Sequence, residues 1–136
     1  MTPAVRLIRS SDLAPVQYAY AAVADGPVRA VWAAGACPLD ADGATVCPGD
    51  VAGQTHQVMR NLATSLAEAG AALTDIAKTT VYVASSDRAD LVAAWEVYRE
   101  HMAGYDVPST LLGIAVLGYP DQLVEVEAVA VLPLPR

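Results

Sequence analysis

Residues 110–132 read TLLGIAVLGYPDQLVEVEAVAVL, two apolar runs either side of a short polar break, and this stretch decides the fold. TLLGIAVLG (110–118) and LVEVEAVAVL (123–132) are predicted as strands, joined by YPDQ, where Pro120 and Asp121 favour a turn. Side chains alternate along a strand. Leu123, Glu125, Glu127, Val129 and Val131 therefore share one face of the second run, and Val124, Val126, Ala128 and Ala130 share the other. The all-apolar face calls for a packed layer against it. The other face carries two carboxylates roughly 6–7 Å apart. A partly buried carboxylate beside a like charge holds its proton more tightly and can transfer protons near neutral pH. The plainer alternative is a wet strand face with both carboxylates in solvent.

Upstream, SSDRAD (85–90) offers Ser85, Ser86 or Asp87 as a helix N-cap, and Leu91, Trp95, Tyr98 and Met102 then recur at helical spacing. Gly104 stops that helix, and Pro108 bars its continuation. AKTTVYVA (77–84) is β-branched and aromatic, which predicts a strand. Asp50 caps a helix whose buried face is Val51, Val58, Leu62 and Leu66, with Met59 and Ala69 beside them and Gly70 at its end. Gln54, Gln57, Asn61 and Glu68 fall mostly off that face. Three short strands are expected before it, at 3–8, 17–23 and 28–36, with a hairpin or loop over 38–45. Gly35, inside the end of the third, indicates a bulge or a close backbone approach. The order β-β-β-α-β-α-β-β predicts one α+β domain over residues 1–136, with two helices on one face of a mixed or mostly antiparallel sheet. The other face is left for solvent or for another subunit.

Composition favours the second. Hydrophobic residues make up 54% of these 136 residues and charged ones 17%, which is rich for a chain with so much surface to cover. The net charge is −7, and the eight Lys and Arg never cluster, which argues against nucleic acid and against anionic membranes as partners. No apolar run approaches the roughly 18 residues of a membrane span, and MTPAVRLIRSSD does not read as a signal peptide. The expected location is the cytosol. Cys37 and Cys47 are too few for a disulfide scaffold. His56 and His101 lie on different helices without a ligand-spacing pattern, so each reads as a surface or helix-edge residue, and neither a metal nor another cofactor is expected. GxSxG, GxGxxG and GxxxxGK[ST] are absent. Of the aromatic residues, Tyr18 and Tyr20 on the short second strand stand apart from a core role.

Four pieces occur in order: AAGACPLDADG (33–43), VMRNLATSLAEAGAALTDIAKTTVYVASSDRADL (58–91), VPSTLLGIAVLGYPDQ (107–122) and LVEVEAVAVLP (123–133). Together they resemble the RidA/YjgF family, also labelled endoribonuclease L-PSP, over roughly residues 15–133. The resemblance implies a chorismate-mutase-like α+β fold with a six-stranded sheet. It also implies a homotrimer with small-molecule pockets between subunits and, in the deaminase branch, hydrolysis of enamines or imines. There an arginine two residues after a proline grips the substrate carboxylate, and a glutamate on the last strand holds the water. The glutamate carries over to Glu125 and the strand-end glycine to Gly35. Thr110 stands where the arginine would be, Ala34 replaces a serine, Leu112 replaces a frequent cysteine, and the early-strand aromatic maps to Tyr18 or Tyr20.

The resulting candidate site is Glu125 for catalysis, with Thr110, Gly35, Ala34, Cys37, Tyr18 and Tyr20 contacting substrate. No cation lies near Thr110 in sequence, so a C=N substrate without a carboxylate is expected. A non-catalytic trimer holding a metabolite or partner is the alternative. RNA cleavage ranks last, because the chain has neither a basic stripe nor paired histidines in its sequence.

Overall fold

In the computed structural model, which describes residues 3–135, strands β1 (Val5–Ile8), β2 (Ala21–Ala24) and β3 (Val28–Ala36) precede helix α1 (Val51–Glu68). A 3-10 turn (Leu73–Asp75), β4 (Ile76–Val83), α2 (Arg88–Met102), β5 (Ser109–Gly113) and β6 (Val124–Pro133) follow. The expected α+β order is present. The helix starts are set by their caps: Asp50 accepts from Gly53 N–H, and Asp87 accepts from Ala89 N–H. Gly70, just past α1, takes the left-handed conformation at φ 82.

The strands form two sheets rather than one. β3, β6, β4 and β5 make a four-stranded sheet in that order, antiparallel at β3–β6 and β6–β4 and parallel at β4–β5. Among the described residues β1 and β2 pair only with each other. Both edges of β4 are occupied by β5 and β6, so β2, which lies beside it, finds no free ladder there.

Two strand boundaries depart from the sequence expectation for related reasons. The second strand starts at Ala21 rather than 17, because the preceding backbone bonds elsewhere: Arg9 donates to the carbonyls of Val16 and Tyr18, and Ala19 N–H donates to Asp106 O. The fifth ends at Gly113 rather than 118, because its partner β4 ends opposite it at Val83; Ile114 N–H donates to Val83 O, and among the described residues no strand pairs with 115–118.

α1 and α2 cover the face of β6 that carries Val124, Val126, Ala128 and Ala130, all buried. Met59, Leu62, Leu66, Ile76, Val81 and Val83 complete that core, and each large apolar side chain sequestered there contributes about 1.5–3 kcal/mol. Gln54 departs from expectation, being fully buried. Its amide donates to Cys47 O and Asp121 O and accepts from Leu123 N–H, so every polar atom is satisfied and α1 is tied to the β5–β6 turn. The stripe on α2 is turned from the sequence reading. Ala94 and Val97 are buried with Tyr98 and Met102, whereas Leu91 and Trp95 are half-exposed. Trp95 keeps an accessible side because its indole N–H donates to Gln17 Oε1 at 2.8 Å.

The opposite face of the four-stranded sheet has no covering layer among the described residues. Trp32 on it is 75% exposed, and Lys78, Thr80, Tyr82, Leu112, Glu125, Glu127 and Val129 share that face by register. No helix among the described residues is long and apolar enough to cross a membrane.

Candidate functional site

The open face places the candidate residues in two groups. The first surrounds Glu125. β3 bulges between Ala33 and Ala36, and this brings Gly35 over the Glu125 side chain. A Cβ on Gly35 would stand 2.4 Å from Oε2 of Glu125 and 2.6 Å from its carboxyl carbon. Gly35 has no positive φ, so steric room rather than backbone freedom requires glycine here. Ala34, exposed within the bulge, offers no polar group.

Oε1 of Glu125 accepts two hydrogen bonds, from the Cys37 thiol at 3.2 Å and from Gln122 Nε2 at 3.2 Å. Burial, followed by the hydrogen bond to Glu125 and its charge, raises the Cys37 pKa from 9.0 to about 11, so the thiol keeps its proton and remains a donor. Cys37 is held in turn by Asn61 of α1, whose amide donates to Cys37 O and Leu39 O. Gln122, 4% exposed, also donates to Val124 O and accepts from Tyr119 N–H. The carboxylate is therefore fixed through one oxygen. Among the described residues nothing bonds its other oxygen, Oε2. Glu127, two residues on, accepts from the Tyr82 hydroxyl instead.

The second group lies at the β5 edge. Thr110 is exposed, and Lys78 Nζ donates to its Oγ1 at 2.6 Å. The expectation of no nearby cation is thus corrected. Lys78 is 32 residues away in sequence, but β4 and β5 run parallel and pair Thr80 with Thr110, which puts the lysine one strand over. Partial burial lowers the Lys78 pKa from its ordinary 10.5. Tyr18 and Tyr20 both line the hollow at this pair, with Pro108 and Ser109, in a volume of about 410 Å³. A second hollow of about 590 Å³, lined by Val16, Gln17, Tyr18, Trp95, Ser109, Thr110 and Leu111, adjoins it.

The two groups do not meet within one chain. Thr110 pairs with Thr80, which pairs with Glu127, while Glu125 pairs with Tyr82. Two strand spacings and a two-residue offset put the Cα atoms of Thr110 and Glu125 about 12 Å apart, too far for both to touch one small reacting group. Two residues missed by the sequence reading complete the groups. Gln122 reads only as a turn residue and Lys78 only as a strand residue, and neither pattern signals a pairing partner.

His56 and His101, expected as surface or helix-edge residues on different helices, lie against each other. Nδ1 of His56 and Nε2 of His101 are 2.9 Å apart between α1 and α2, and both rings are half-buried. Burial first, and then His56, lower the His101 pKa from 6.5. Among the described residues no group of three or more His, Cys, Asp or Glu is placed to hold a metal ion.

Residues 11–132 match the family model described as Endoribonuclease L-PSP. The chain is 37% identical over 101 residues to a RutC family protein of Pyrococcus abyssi, covering 74% of this chain and 76% of that one. It is 29% identical over 134 residues to the 2-iminobutanoate/2-iminopropanoate deaminase of Rattus norvegicus, covering 96% and 93% of the two chains. Among solved structures, a Rid-family protein of unknown function, YyfB of Yersinia pestis, superposes with a TM-score of 0.84 at 28% identity, covering 95% of this chain and 99% of that one.

Proposed function

The chain belongs to the endoribonuclease L-PSP family, the RidA/YjgF proteins, and from that premise we propose that it hydrolyses small enamine or imine compounds in a pocket completed by a second copy of itself. The observation that carries this reading is the state of Glu125. Oε1 is anchored by Cys37 and Gln122, and Oε2 stands free over Gly35. A carboxylate fixed in this way can accept a hydrogen bond from water and orient it.

The chemistry balances as a hydrolysis. An enamine tautomerises to the imine, and water held by Oε2 attacks the C=N carbon while its proton passes to the carboxylate. The protonated carboxyl passes that proton to nitrogen to give the carbinolamine. It then takes the carbinolamine hydroxyl proton and delivers it to nitrogen as the C–N bond breaks, so ammonia and a carbonyl compound leave and the carboxylate is regenerated. The Cys37 thiol does not compete as nucleophile, because a pKa of about 11 keeps it protonated.

The 12 Å gap between Glu125 and Thr110 supports a shared pocket. A second copy laid on the uncovered sheet face, where Trp32 is 75% exposed, brings a Glu125 end against a Thr110 edge, and a closed ring of three such contacts is the assembly proposed. Among the described residues no arginine lines either hollow, and Thr110 stands at the position expected for one. The name of the rat relative, a 2-iminobutanoate/2-iminopropanoate deaminase, supports the reaction class.

The test is ammonia release from 2-iminopropanoate generated in situ. Wild type is expected to accelerate it, and Glu125→Gln to lose about 10²–10⁴-fold. A Glu125→Gln variant as fast as wild type would remove Glu125 from the mechanism. Ligand-induced thermal stabilisation with no product would make the chain a binding protein instead.

A further inference from the structure

Lysine has three donor hydrogens and no acceptor, so Thr110 accepts in the 2.6 Å contact with Lys78 Nζ. Its own hydroxyl hydrogen is left to point elsewhere, and Nζ keeps two more. An ammonium and a hydroxyl donor therefore sit side by side at the mouth of the 410 Å³ hollow. That is the donor pair that the two oxygens of a carboxylate require. Among the described residues the ion pairs are made by Arg6, Arg9 and Arg99, and Lys78 joins none of them.

The neighbouring hollow has a different character. Val16, Leu111, Tyr18 and Trp95 give it apolar and aromatic walls. The walls are held in place. Trp95 donates to Gln17, and the Tyr18 ring meets Trp95 edge-on at 6.3 Å. Tyr18, Ser109 and Thr110 line both hollows, so the two communicate at Thr110, where a long side chain would stand in the junction and a threonine leaves it open. Both volumes fall in the range of small-molecule pockets.

We infer that the ligand is an elongated organic acid, its carboxylate seated on Lys78 and Thr110 and its ring-bearing apolar body lying along Tyr18 and Trp95. This rests on the hydrolase reading for the reaction but not for the binding. It reverses the expectation from sequence that a carboxylate would find no counter-charge.

The experiment is calorimetric titration of the whole protein with 3-phenylpropanoate, propanoate and 3-phenylpropanamide. 3-Phenylpropanoate is expected to bind at least about tenfold more tightly than either of the others. Lys78→Met should erase the preference for acid over amide, Lys78→Arg should restore most of it, and Trp95→Ala should erase the preference for phenyl over methyl. If Lys78→Met does not fold, Thr110→Val at its exposed position must weaken the acid preference. Equal binding of the acid and the amide by wild type, or an acid preference retained in folded Lys78→Met, overturns the carboxylate seat. Equal binding of propanoate and 3-phenylpropanoate overturns the apolar groove. Titration reads binding and ammonia release reads turnover, so wild type that prefers the acid but releases no ammonia removes the hydrolase reading alone, and turnover with no preference for acid over amide removes the ligand assignment alone.

Discussion

Replacing Gly35 with alanine adds one methyl group at the point where β3 bulges over Glu125. The new Cβ would stand 2.4 Å from Oε2, 2.6 Å from the carboxyl carbon and 2.9 Å from Cγ. Ordinary contact needs about 3.5 Å, so the carboxylate must retreat by about 1 Å. Its bonds from Cys37 and Gln122, both 3.2 Å now, would then stretch beyond hydrogen-bonding range.

Two opposing effects set the stability change. Glycine in a strand costs about 0.5–1 kcal/mol relative to alanine, and φ at Gly35 permits alanine, so without the clash the variant would be more stable. Two bonds to a carboxylate are worth about 3 kcal/mol together at the low end, less here because Glu125 is half-exposed and can rehydrate. The net expectation is a loss of about 1–2 kcal/mol. Activity should fall much further, about 100-fold, because a misplacement of about 1 Å spoils the alignment of the water. Steady-state imine hydrolysis and urea titration measure the two quantities. A Gly35→Ala variant with wild-type rate and raised stability would refute both the close approach and the role given to Oε2.

Other consequences are independent of the assembly. Because burial and His56 lower the pKa of His101 from 6.5, the native chain binds fewer protons than the unfolded chain as pH falls through that value. The melting temperature should therefore decline from pH 7.5 to 5.5, and His101→Asn should flatten the profile; an unchanged slope in the variant would contradict this. Gln54→Ala leaves Leu123 N–H, Cys47 O and Asp121 O without their partner, and should cost about 3 kcal/mol in a denaturant titration. A loss below about 1 kcal/mol would mean that the turn does not depend on it. Iodoacetamide at pH 7.5 should label exposed Cys47 well before Cys37, whose pKa is about 11, as peptide mass mapping would reveal. Prior labelling of Cys37 would contradict its bond to Glu125.

Local patterns carried most of the fold. The period of α1 and its Asp50 cap, the β-branched run of β4 and the alternation in β6 each matched what the chain does, because each is decided by residues adjacent in sequence. Where pairing partners matter, the sequence was silent. The run 110–118 is apolar enough for a nine-residue strand, yet β4 supplies a partner only as far as Gly113. Gly35 could be read as a bulge or as a close approach, and both occur, but the atom it makes room for lies on a strand 90 residues away. The same holds for the site. Glu125 stood out by its place in an apolar strand, whereas Lys78 looked like a solvated strand residue until the parallel register put it on Thr110. The histidines fell together across two helices whose crossing no spacing encodes.

The central claim is that Glu125 of one copy serves the Lys78–Thr110 edge of another, and co-expression of two inactive variants tests it most directly. Glu125→Gln and Lys78→Met are each expected to be impaired in imine hydrolysis alone. In a random equal mixture half of the Glu125 ends and half of the Lys78 edges are intact, so about a quarter of shared pockets carry both, and about a quarter of wild-type activity should return. A mixed assembly no more active than its components would place both residues in one chain's pocket and contradict the account.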